Sequence, residues 1–67
     1  MKYILRYEYN NDFYYINVIY RGNKIPMFVR SNFKRNAYKF NLSVVKQYQK
    51  LYNNHYPYHF EIKIHDS

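Results

Sequence analysis

Asn41-Leu42-Ser43-Val44-Val45-Lys46-Gln47-Tyr48-Gln49-Lys50-Leu51-Tyr52-Asn53 is the one stretch of this chain whose apolar residues recur at a helical period. Val45, Tyr48 and Tyr52 follow i, i+3, i+7 spacing, and Val44 and Leu51, on the neighbouring row, widen the stripe. Lys46, Gln47, Gln49 and Lys50 fall largely on the opposite face. Asn41 is placed to cap the helix, Leu42 to Asn53 contains neither Gly nor Pro, and Asn53-Asn54 ahead of Pro57 supplies a stop.

On both sides of this helix the apolar period drops to two. Tyr3, Leu5, Tyr7 and Tyr9 alternate with Lys2, Ile4, Arg6 and Glu8, and Asn10-Asn11-Asp12 reads as a turn because Asn and Asp tolerate left-handed backbone. In the second strand, Tyr14, Ile16, Val18 and Tyr20 share one face and Phe13, Tyr15, Asn17 and Ile19 the other; both are mostly apolar, as in a central strand. Arg21-Gly22-Asn23-Lys24 is a hairpin signal, and Ile25 to Arg30 is a third strand that Pro26 confines to an edge or a strand start. Ser31 to Asn36 reads as a loop with one irregular helical turn. After the helix, Tyr58, Phe60, Ile62 and Ile64 alternate with His59, Glu61, Lys63 and His65. The expected architecture is α+β, β-β-β-α-β: a three-stranded antiparallel meander, one helix packed on one sheet face, and one closing strand, in a single domain spanning 1–67. A lone helix covers one face, so the other, rich in Tyr, is expected to be partly exposed or paired.

Composition narrows the function classes. With 67 residues, a fold buries only about 60% of its unfolded surface. The absence of cysteine excludes a disulfide scaffold and a thiolate zinc site. No apolar run approaches the roughly 18 residues of a membrane span, and Met1-Lys2-Tyr3-Ile4-Leu5-Arg6 lacks the apolar core of a signal peptide. A cytoplasmic, soluble protein is expected, without a membrane partner.

Catalysis finds little support. The four carboxylates, Glu8, Asp12, Glu61 and Asp66, lie near the ends with no motif spacing. Ser31, Ser43 and Ser67 carry no nucleophile elbow, and no Gly-rich loop is present to hold phosphate. His55 and His59 are four apart, but Pro57 between them breaks the helical geometry that would align two ligands; His59, Glu61 and His65 read instead as the solvent face of a strand. No enzyme activity, metal site or cofactor is expected.

Charge says more. Eleven Lys and Arg against four acids give a net charge of +7, and no Asp or Glu lies between Phe13 and Phe60. That window holds Arg21, Lys24, Arg30, Lys34, Arg35, Lys39, Lys46 and Lys50. Phe33 and Tyr38 interleave with them, the mixture by which single-stranded nucleic acid binders neutralise phosphates and stack bases. A solvated basic surface, with Phe28, Phe33 and Phe40 in the core, is the competing reading. The Tyr-rich sheet face supplies a second candidate, an interface of Tyr3, Tyr7, Tyr9, Tyr15 and Tyr20, because tyrosine combines contact area with a polar tip. A homodimer would cover that face and enlarge a small core; rings packed under the helix would do so without one.

The opening Met1-Lys2-Tyr3-Ile4-Leu5-Arg6-Tyr7, the Asn10-Asn11-Asp12 turn, the basic closing strand and a bias to residues with AT-rich codons (11 Tyr, 9 Asn, 7 Lys and 6 Ile) run through the whole chain. In size and composition it resembles the small phage and prophage proteins of low-GC Gram-positive bacteria. That resemblance implies a host-takeover or anti-defence factor, anti-CRISPR proteins among them, acting by stoichiometric occlusion of a host protein or ribonucleoprotein. Its positive charge departs from the acidic DNA mimics of that class. Direct binding of DNA or RNA as an accessory factor is the alternative, and a small structural homo-oligomer a third reading.

Overall fold

The computed structural model describes residues 1–22 and 24–65. Strands β1 (Lys2–Tyr9), β2 (Asp12–Tyr20) and β3 (Met27–Ser31) are followed by a 3-10 turn (Lys34–Asn36), helix α1 (Leu42–His55) and strand β4 (Glu61–His65). The result is α+β: a four-stranded antiparallel sheet in the order β3-β2-β1-β4, with one helix against it. The β1–β2 hairpin closes at Tyr9↔Asp12 around Asn10 and Asn11, whose φ angles of 52° and 67° meet the demand of a two-residue hairpin for left-handed backbone at both central positions. Asp12 opens the second strand and is not part of the turn. The third strand is shorter than Ile25 to Arg30: it starts after Pro26, which has no N–H to give a ladder, and lies at the sheet edge. Asn23, half of the expected Gly-Asn hairpin signal, lies outside the described residues.

Helix α1 covers the face that carries Tyr3, Leu5 and Tyr7. Leu5, Tyr7, Ile16, Phe40, Val45, Tyr52 and Phe60 form the buried centre, with Phe28, Val44, Tyr48 and Leu51 packed against it. The rings interlock edge to face and offset: Tyr7 lies 4.3 Å from Tyr58 and 5.0 Å from Phe60, and Tyr52 lies 5.2 Å from Phe28. The helical stripe therefore packs as its spacing predicts, with two corrections. Gln49 is half-buried and donates to the Phe60 carbonyl (2.9 Å) instead of facing water. Asn53 does not stop the helix; its Oδ1 accepts from the Phe60 N–H, and α1 runs on to His55. It ends where Pro57 forces Tyr56 into extended backbone (φ −105°, ψ 154°).

Strand β2 departs most from simple alternation. Its register against β3 shifts between Ile16 and Val18, so Ile19↔Phe28 lies on the helix face while Val18↔Val29 and Tyr20↔Met27 lie on the open one. The bulge at Asn17 thus reverses the expected faces of Val18, Ile19 and Tyr20, and such a bulge also bends its strand. β1 and β2 pair only from Arg6↔Tyr15 to Tyr9↔Asp12. Residues 38–40 occupy the fork beyond: Tyr38 N–H donates to the Ile16 carbonyl (2.7 Å), and Tyr3 and Phe40 exchange two hydrogen bonds (2.7 and 2.9 Å). The chain so passes from the open face, where Ala37 packs on Ile4 and Tyr15, to the helix face, where Phe40 is buried beneath Tyr48.

Two core phenols link stability to pH. Burial, chiefly, pushes Tyr7 and Tyr52 above their ordinary value of 10.0, Tyr52 strongly; the hydrogen-bonded Arg30 guanidinium opposes the shift at Tyr7. A phenol raised in the fold stabilises it fully below its unfolded value, because both states are then neutral. Above that value the unfolded chain ionises first, and the contribution is lost as pH climbs toward the raised value. The urea midpoint is expected to hold steady to about pH 9 and to fall between about pH 10 and 12, less steeply in Tyr52→Phe. A midpoint that is flat to pH 12 contradicts this.

Candidate functional site

The expected cationic surface is divided among five places. Arg30, on β3, turns to the helix side, where its guanidinium lies 4.2 Å over the Tyr14 ring and donates to the Tyr7 hydroxyl (2.8 Å). Lys46 and Lys50 sit exposed on the outer face of α1. Lys34 and Arg35 lie on the 3-10 turn, which packs against β2 on the open side. Arg21 and Lys39 flank the start of α1 with Lys2, and Lys24 lies by Met27 and His55.

The turn that carries Lys34 and Arg35 is held by side-chain bonds that its polar sequence supplies. Ser31 Oγ accepts from the Phe33 N–H (3.1 Å) and from Asn36 Nδ2 (3.0 Å), and Asn32 Nδ2 donates to the Phe13 carbonyl (3.3 Å). Phe33 stays exposed, with the Arg35 guanidinium 4.7 Å over its ring, whereas Phe40 is buried and Phe28 half-buried. Tyr38 is exposed as well. Of the three phenylalanines, Phe33 alone remains free to meet a ligand.

The five candidate interface tyrosines do not share a surface. Tyr7 is buried under α1 and Tyr15 is buried on the opposite face against Ile4 and Ala37. Tyr3 is half-buried beside Phe40, and Tyr9 is exposed at the far end of β1 against Tyr58. Only Tyr20 belongs to an open patch. The reason is strand alternation on a sheet with one covered face, compounded by the Asn17 bulge.

What the open face offers is an apolar strip of which the sequence singled out Tyr20 alone: Val18 (39% exposed), Tyr20 (56%), Met27 (53%) and Val29 (42%). The pairs Val18↔Val29 and Tyr20↔Met27 stand directly opposite, so the four side chains are contiguous. The strip lies on an edge hairpin, and the next open-face position after Val29 is Ser31, which holds the turn bearing Lys34 and Arg35. The other half of the sheet is polar, with Arg6 3.8 Å and Lys63 3.7 Å from Glu61 and the Arg6 guanidinium 4.0 Å over Phe13.

Among the described residues no three His, Cys, Asp or Glu side chains gather as metal ligands, and no helix is long and apolar enough to cross a membrane. Comparison with protein-family models, with curated proteins and with solved structures finds no match to this chain.

Proposed function

We propose that this chain is a non-catalytic binding protein that inhibits a host protein or ribonucleoprotein by stoichiometric occlusion, a host-takeover or anti-defence factor of the anti-CRISPR kind. The observation that carries this reading is the contiguous open strip of Val18, Tyr20, Met27 and Val29. Isolated exposed apolar residues need no explanation, but a continuous patch with a polar border is the composition of a recognition surface. Tyr, Met and Arg are the residues that protein interfaces favour, and all three occur here. Charge selects the partner. With Lys34 and Arg35 at its border and a net charge of +7, the strip favours an acidic partner surface and disfavours a second copy of this equally basic chain.

The test places a photoreactive amino acid at Val29 and follows the crosslinked protein partner in cells. Crosslinking is expected to fall at least about 10-fold in the double variant Lys34→Glu/Arg35→Glu and in Tyr20→Ala, and to persist in Lys50→Glu, on the far side of the molecule. Equal crosslinking in all variants rejects the reading. So does a dimer of the pure protein in sedimentation at high micromolar concentration that buries position 29.

Direct binding of single-stranded DNA or RNA is a second reading, favoured by the exposed Phe33–Arg35 pair and the exposed Tyr38 ring. Affinity would then fall steeply with salt as counterions re-compete, and Phe33→Ala would weaken it about 10-fold through lost stacking. A mobility-shift titration at low and physiological salt separates this reading from the first.

A further inference from the structure

Three cations from separate parts of the chain converge on one cavity at the start of α1. Lys2 comes from the beginning of β1, Arg21 from the end of β2, and Lys39 from the segment in the fork; with Tyr38 and Asn41 they line a space of about 260 Å³. No carboxylate of the described residues lines it; Asp66, which follows the Lys2 ladder partner His65, lies outside them. Of the described acids, Glu8 is six residues along β1 from Lys2, about 20 Å away, Asp12 lies beyond the β1–β2 turn, and Glu61 is held by Arg6 and Lys63.

No described carboxylate offsets the positive charge gathered here. A helix start carries partial positive charge and is stabilised by acids and destabilised by cations. Helix α1 has no acid in its first turn, and Asn41 makes no side-chain cap bond. Its Oδ1 accepts instead from Lys2 Nζ at 3.0 Å, which fixes an ammonium beside the helix end. Cations kept only to stabilise the fold belong at the other end of the helix or beside the chain's own carboxylates. Here they crowd a concave site that no described carboxylate lines.

We propose that this cavity binds a phosphate group, with Lys2, Arg21 and Lys39 as its partners. Charge-assisted bonds from three cations suit a tetrahedral dianion, and the free N–H groups of the first helical turn add to them. Arg21 and Val44 also line an adjoining cavity of about 340 Å³ with Pro26, Gln47, Tyr48 and Leu51. That mixed apolar and polar space accommodates the organic part of a phosphate monoester, so the phosphate has two sources to distinguish, the free ion and a nucleoside monophosphate. The site lies on the helix side, away from the Val18–Val29 strip, and stands or falls independently of the docking reading.

Thermal unfolding of the full chain tests it with inorganic phosphate, AMP and chloride at matched ionic strength. Phosphate and AMP are both expected to raise Tm above the chloride value. A larger rise with AMP at equal concentration assigns the source as a nucleotide, and equal rises assign the free ion. By calorimetric titration, Arg21→Ala and Lys39→Ala each weaken phosphate about 10-fold, while Lys50→Ala leaves it unchanged. Lys39→Glu supplies the diagnostic pair of effects: a higher Tm in phosphate-free buffer, because the helix start is relieved, and no further gain from phosphate. The proposal is overturned if neither phosphate nor AMP exceeds chloride, or if Lys50→Ala costs as much affinity as Lys39→Ala.

Discussion

Phe60→Ala is expected to leave the chain without a cooperative unfolding transition at 37 °C. Phe60 is fully buried and is the ring on which the aromatic core converges: its centroid lies 5.0 Å from Tyr7, 5.5 Å from Tyr52 and 5.8 Å from Phe28. Those neighbours come from β1, α1 and β3, so the cavity would open where helix and sheet meet and could not be closed by moving one element. Truncating a buried Phe to Ala costs about 3–5 kcal/mol, and a domain this small seldom holds more than about 3–5 kcal/mol in total. Far-UV circular dichroism and urea titration read the outcome. Phe60→Leu, which keeps most of the volume, is expected to stay folded with a loss of about 1.5 kcal/mol or less. A cooperative Phe60→Ala melt within a few degrees of the parent's would mean that helix and closing strand are not held through this ring.

The second large effect concerns the backbone of the same residue. Phe60 precedes β4, so the ladder with β1 gives it no partner; its N–H donates to Asn53 Oδ1 (2.6 Å) and its carbonyl accepts from Gln49 Nε2 (2.9 Å). Two polar side chains of α1 thus do for the incoming strand what a neighbouring strand would otherwise do. Asn53→Ala leaves the Phe60 N–H unpaired in a buried position, at a cost of about 1–3 kcal/mol in urea titration with an unchanged m-value. Asn53→Asp keeps an acceptor oxygen and is expected to lose less than half as much. Equal losses in both variants would show that Oδ1 is not the group that matters.

These two residues also show where local pattern loses its authority. Phe60 is legible as an inward position because Tyr58, Phe60, Ile62 and Ile64 alternate with polar residues. Asn53 and Gln49 are not. In sequence they read as a helix stop and a solvent-facing position, since nothing local announces a distant N–H or C=O that needs a partner. The Asn17 bulge is similarly silent: no glycine marks it, and strict alternation placed Val18 and Tyr20 with Ile16. One inserted residue moves them to the open face and creates the strip on which the binding reading rests.

The candidate site divides in the same way. Acid depletion between Phe13 and Phe60 could be read at once, and it holds in any fold this chain adopts. The grouping of those cations could not. Arg30 is drawn to Tyr7 and Tyr14, Lys46 and Lys50 project outward from α1, and Lys34 and Arg35 border the strip. Lys2 falls outside the acid-free window, yet the structure places it with Arg21 and Lys39.

By itself, then, the sequence determined the class of elements and their order, because the periods of 3.6 and 2 and the placement of Pro and Asn act over a few residues. It also determined the sign of the charge and the absence of thiol chemistry, which are sums over residues and need no geometry. The tertiary structure alone decided which sheet face α1 covers, how the 38–40 segment fills the fork between β1 and β2, and which tyrosines are buried. It alone decided which cations meet. Those outcomes depend on contacts between residues far apart in the chain, whose energies exist only once the backbone has brought them together.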